Sequence, residues 1–204
     1  MSLGVMRAGK STLVNSSPVK SAKLRPLRSP LYDEEFIAVA PAAAIGRLEY
    51  FSNRRVFTAG GAKTEANTNM TDDGRLSEPG EFTLFGLSMR IRMGTAVADL
   101  NTVYNAGFLD VFMHTNTNFG KYPLQVIPSF VAPLAFTTVA ATTLFSNGMP
   151  GSNNILNLAD DLQQGRHIGR GETFRVVVQW PVAINATVNT FIMFFLHGIL
   201  YVGM

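Results

Sequence analysis

The sequence predicts an all-β chain folded as an antiparallel two-sheet sandwich. Two observations lead there: apolar residues recur with a period of two in several segments, and those segments are bounded by Gly, Asn or Pro clusters of the kind that make turns. A third observation sets the terms. The chain has no cysteine, so disulfides, thiolate metal sites and cysteine nucleophiles are excluded, and the 174 residues from 31 to 204 must close a core by packing alone. A chain of that size buries roughly two thirds of its unfolded surface, which is enough for one domain.

Residues 31–39 and RLEYFSNRRVFT (47–58) read as the first extended segments. The polar stretch AGGAKTEANTNMTDDGRLSEPGE (59–81) exceeds an ordinary connection and is a surface excursion. FTLFGLSMRIRM gives the cleanest strand, with Leu87, Met89, Ile91 and Met93 on a core row and Ser88, Arg90 and Arg92 on a solvent row. GFLDVFMHT (107–115) and KYPLQVIP (121–128) add two more. APLAFTTVAATTLF (132–145) is a weak helix candidate because of its β-branched residues. ILNLADDLQQG (155–165) is a better one, with Ile155, Leu158 and Leu162 at helical spacing before Gly165. SNGMPGSNN (146–154) is a second excursion. In ETFRVVVQW, Phe174, Val176, Val178 and Trp180 alternate with Thr173, Arg175, Val177 and Gln179, and Pro181 is expected to end the strand. The segment 190–204 is shorter than the ~20 residues a membrane helix needs and contains His197 and Gly198, so it reads as a buried strand pair or one long strand and not as a membrane anchor. Seven or eight strands joined by long, uneven loops favour a single jelly roll over an immunoglobulin-like arrangement.

Charge divides the chain at residue 30. Residues 1–30 hold six cations and no acid, whereas residues 31–204 hold eleven Lys plus Arg against fourteen Asp plus Glu. The first segment, broken by Pro18, Pro26 and Pro30, is too poor in apolar residues to offset its ordering entropy and is expected to be a disordered or extended arm. Arg7, Lys10, Lys20, Lys23, Arg25 and Arg28 are its candidate contacts to nucleic acid or to anionic lipid headgroups. No secretory signal is expected, since charge and proline interrupt every apolar stretch near the N-terminus.

The sequence offers little chemistry. His114, His167 and His197 lie far apart without a second His or carboxylate at ligand spacing, so no metal or other cofactor is expected. His197, between Leu196 and Gly198, reads as a hydrogen-bonded core or interface histidine. Asp72, Asp73, Glu78 and Glu81 form an acidic loop without EF-hand spacing, and Asp160 and Asp161 suit an exposed face. AGKST (8–12) lacks the first glycine and the flanking strand of a phosphate loop. No enzyme activity and no small-molecule substrate are expected. Charged residues make up 15% of the chain and apolar ones 47%, a balance that predicts apolar area covered by neighbouring copies, with Phe119, Tyr122, Phe130 and Met149 as exposed candidates.

The runs KTEANTNMTDDGRLSEPGEFTLFGLSMRI, KYPLQVIP and LHGILYV resemble segments of jelly-roll capsid proteins from tailless icosahedral bacterial viruses, some of them lipid-containing; the resemblance spans about residues 45–202. It implies a virion structural protein, a coat subunit that self-assembles in the host cytoplasm with copies of itself and other capsid proteins. Its arm would then face an interior nucleic acid or membrane. A body of this length holds one sandwich and not two, so a single-jelly-roll coat or vertex protein is the form expected. A different class stays open, a virion spike or carbohydrate-binding module, for which Tyr104, Asn105, Asn116 and Asn118 are candidate sugar contacts.

Overall fold

The computed structural model describes residues 24–39, 44–76, 80–92, 95–114, 117–128, 135–138, 141–144, 155–158 and 165–203. Within them the strands are β1 (Leu24–Leu27), β2 (Leu31–Ile37), β3 (Ile45–Tyr50), β4 (Glu81–Ile91), β5 (Phe108–Met113), β6 (Thr117–Pro123), β7 (Ala135–Thr138), β8 (Ala141–Leu144), β9 (Leu156–Asn157), β10 (Arg166–Ile168), β11 (Phe174–Ile184) and β12 (Thr190–Gly203). A single α-helix among the described residues, α1, spans Val97–Ala106.

Two antiparallel sheets form the body. One runs β1-β12-β4-β10, with β2 also on β12 and β9 also on β4; the other runs β3-β11-β5-β6. β12 is long enough to take two partners on one edge, β2 along Thr190–Leu196 and β1 along Leu200–Gly203. The core lies between the sheets, where Leu48, Tyr50, Leu84, Met89, Leu109, Val111, Val176, Val178, Ile192 and Phe194 are buried. Tyr50 of one sheet meets Phe194 of the other edge-on, with ring centroids 4.7 Å apart. The all-β, two-sheet expectation therefore holds, and β1 brings residues 24–27 of the expected arm into the sheet.

Several local expectations need correction. The row along β4 changes phase: Phe82 and Leu84 are buried, then Leu87, Met89 and Ile91. The cause is a bulge, because the register with β12 steps from His197 opposite Gly86 to Gly198 opposite Leu84, leaving Phe85 as the extra residue. Ser88, expected in solvent, is fully buried on the face away from the core. Pro181 does not end its strand. β11 continues to Ile184, and Pro181 falls where the ladder to β5 has stopped at Gln179 and the ladder to β3 is interrupted, so no donor is needed there.

The segment 47–58 is strand only to Tyr50, and 121–128 turns into a 3-10 turn at Leu124–Val126. Of the helix expected at 155–165, residues 156–157 are strand and 159–164 lie outside the described residues. The segment 132–145 holds the β7–β8 hairpin, not a helix. α1 was not expected. It buries Leu100, Val103 and Tyr104, and Trp180 Nε1 donates to Val103 O at 3.1 Å, which fixes the helix to β11.

Candidate functional site

The densest chemistry lies where β2 meets residues 51–76. Strand alternation turns Asp33 and Glu35 toward the core, beside Leu31 and Ile37. Lys63 reaches in between them: its Nζ donates to Asp33 Oδ1 at 2.9 Å, Asp33 Oδ2 at 3.0 Å and Asn53 O at 2.9 Å, and it lies 2.6 Å from Glu35 Oε1, outside hydrogen-bond geometry. The three side chains are at most 1% exposed. Burial pushes the Asp33 carboxyl up to about 6, against the opposing pull of Lys63, and burial raises Glu35 in the same way. Glu34 points to the opposite face, where Arg92 Nε donates to it at 2.8 Å and Asn67 Nδ2 at 2.6 Å. The Tyr50 hydroxyl is buried without a hydrogen-bond partner, and burial together with these carboxylates holds its proton on well above the usual phenol range.

The same contacts bind the excursion to the sheet edge. Phe51 N donates to Asp33 Oδ2 at 2.6 Å and Thr58 N to Glu35 Oε2 at 2.7 Å. Further along, Tyr32 N donates to Asn69 Oδ1 at 2.8 Å, Asn69 Nδ2 to Pro30 O at 2.9 Å and Thr68 Oγ1 to Tyr32 O at 3.2 Å. Residues 67–69 thereby occupy the backbone groups of an edge strand that would otherwise be open to pairing.

Of the six basic candidates, Arg7, Lys10, Lys20 and Lys23 lie outside the described residues. Arg25 sits on β1 and Arg28 just after it, both exposed. Arg28 borders a groove of about 540 Å³ together with Pro30, Phe85, Ile155, His197 and Ile199. The bulge makes this groove by turning Phe85 outward. His197 lies in it with Nε2 2.7 Å from Ser88 Oγ, and burial lowers its pKa below the ordinary histidine value. Because Ser88 is fully buried, the pair orients the imidazole and presents no nucleophile to the groove.

The remaining sequence candidates are dispersed. His114 Nδ1 lies 3.1 Å from Glu172 Oε2, and His167 lies 4.0 Å from Glu81. Asp73 caps Arg54 N at 2.8 Å while Glu81 pairs with Arg170, so the acidic loop does not converge; Glu78, Asp160 and Asp161 are outside the described residues. Among the described residues no group of three His, Asp or Glu is placed to hold a metal ion, and no helix is long and apolar enough to cross a membrane. The sugar-contact set loses its aromatic platform, since Tyr104 is buried in α1 and Asn105 accepts from Gln125 Nε2 at 2.9 Å; Asn116 and the Asn118 side chain are outside the described residues. Tyr122 is half-buried and packs on the core rather than standing free, while Phe130, Met149 and the Phe119 side chain are not described.

Five valines are the exposed large apolar side chains among the described residues, Val126 at 53% and Val56 at 44% among them, and the other three lie at one end of the sandwich. Val182 is 76% exposed, Val39 41% and Val188 40%. Val39 bridges Ala186 and its N–H donates to Asn189 Oδ1 at 2.9 Å, while Val188 N donates to Asp99 Oδ2 at 3.2 Å, so the connections after β2 and β11 meet at this end. Comparison with protein-family models, with curated proteins and with solved structures finds no match to this chain.

Proposed function

We propose that this chain is a virion structural protein, a single-jelly-roll coat or vertex subunit that packs beside copies of itself in an icosahedral shell. The strand order carries the reading. Setting aside β1, which shares an edge of β12 with β2, the two-residue β9 and the separate β7–β8 hairpin, eight strands remain, and the first, eighth, third and sixth form one sheet and the second, seventh, fourth and fifth the other. That order matches two nested Greek keys and so supports a jelly-roll reading, a fold that recurs in viral capsids, lectins and cupins. Fold alone does not choose among them. Three observations favour the shell: the resemblance to bacterial-virus coat segments, the exposed valines at one end, and a run of cations with no acid in residues 1–30.

In this reading the valine-bearing end meets a neighbouring subunit and the basic segment contacts anionic cargo, nucleic acid or a lipid surface, without sequence preference. Val182→Asp combined with Val188→Asp places charges in that contact while touching no buried residue. The expected result is a folded protein that no longer forms particles. Wild-type assembly by this double variant would remove the valine end from the shell contact.

A further inference from the structure

We propose that Asp33, Glu35 and Lys63 form a one-proton site that clamps residues 51–76 onto the edge strand β2, closed when the site holds a proton and loosened when it does not. Charge in this closed space does not balance. Two carboxylates and one ammonium, all at most 1% exposed, leave one uncompensated negative charge, and an unpaired buried charge is far too expensive to keep when a proton can remove it. No neighbouring group supplies the missing charge. On β2, Glu34 is turned away and neutralised by Arg92; on β3, Tyr50 keeps its proton and its hydroxyl has no partner; on β12, the facing side chains Ile192 and Phe194 are apolar. Lys63 is the cation that the excursion itself contributes.

The proton site is mechanically joined to the excursion. Phe51, the first residue after β3, adopts a left-handed backbone with φ 67°, a conformation that disfavours any side chain. It is held there by its bond to Asp33, and Thr58 and Asn53 are held by Glu35 and Lys63. Opening the site frees three backbone anchors and lets Phe51 relax. The sign follows from the raised carboxyls: in the closed state Asp33 holds its proton up to about pH 6, whereas a solvated Asp loses it near the ordinary 3.8. Closure is therefore favoured at low pH, weakens as pH rises through that window and stays weakened above it, by on the order of 100-fold for a shift of about two units.

Nothing in this device depends on the chain building a shell. The test is hydrogen exchange of the full chain at pH 5 and pH 8, corrected for the intrinsic pH dependence of exchange, with the Phe51 and Thr58 amides as reporters and Val177 in the central ladder of the other sheet as reference. Because an open, solvated Asp33 has already lost most of its proton at pH 5, the expected result is an opening equilibrium about 10-fold larger at pH 8 than at pH 5 for the two reporters, with the reference unchanged. Asp33→Asn or Glu35→Gln removes the excess charge and should flatten that dependence. Equal protection at the two pH values, greater opening at pH 5, or full wild-type dependence in both variants would each overturn the proposal; if neither variant folds, the wild-type comparison alone decides.

Discussion

Gly198→Ala tests the bulge that re-aims Phe85 and His197. A Cβ built on Gly198 overlaps the Thr83 carbonyl oxygen and the Phe82 ring, with Phe82 Cε1 at 2.8 Å. The obstacles are a backbone oxygen in the β4–β12 ladder and a side chain that is itself fully buried, so neither can swing aside as an exposed side chain would. Overpacking of this kind costs about 1 to 3 kcal/mol, and contact with fixed backbone places it at the upper end, about 3 kcal/mol. With a urea slope of about 2 kcal/mol per molar, the midpoint should fall by about 1.5 M. Gly74→Ala is the control: its φ is +67° and nothing lies within 4 Å of a built Cβ, so it should lose only the left-handed penalty of about 1 kcal/mol. Urea unfolding followed by tryptophan fluorescence reads both, because Trp180 is buried against α1. Equal midpoint shifts for the two variants would mean that the Thr83 carbonyl and the Phe82 ring give way to the added methyl group.

Tyr50→Phe deletes a buried hydroxyl that has no partner, so it should raise stability by about 1 kcal/mol rather than lower it; a loss of 1 kcal/mol or more in urea unfolding would mean that the hydroxyl is bonded in solution. Asp99→Ala removes the acceptor of Thr187 N, Thr187 Oγ1 and Val188 N, and should cost about 2 to 3 kcal/mol while loosening the β11–β12 connection; hydrogen exchange of the Thr187 and Val188 amides measures it. Replacing Arg7, Lys10, Lys20, Lys23, Arg25 and Arg28 by Gln should abolish the salt-dependent part of binding to DNA or anionic vesicles, read as a flattened plot of log affinity against log salt. An unchanged slope would remove those cations from the contact.

What the sequence made legible follows from local pattern. Strict alternation in Phe174, Val176, Val178 and Trp180 reports one face of a sheet, and those residues are buried as read. Alternation cannot reveal a bulge, because the inserted Phe85 is as apolar as its neighbours and the shift is set by β12 across the ladder. α1 left a trace in Leu100, Val103 and Tyr104 at i, i+3 and i+4, obscured by the polar residues around it and by its short length. The charge cluster was harder still. LYDEEFI presents three consecutive acids, which by composition belong in solvent, yet all three are buried, Asp33 and Glu35 around Lys63, which arrives from about 30 residues away, and Glu34 against Arg92 and Asn67. The basic segment was plain in the sequence because charge asymmetry needs no tertiary partner to be seen.

The proposed shell requires that this sandwich pack against copies of itself. Sedimentation velocity of the purified full chain, with negative-stain microscopy of the same sample, tests it most directly. Self-packing gives particles of uniform size, closed in projection, in place of the 22.2 kDa monomer. A single monomeric species across the whole accessible range of concentration, salt and pH would contradict it.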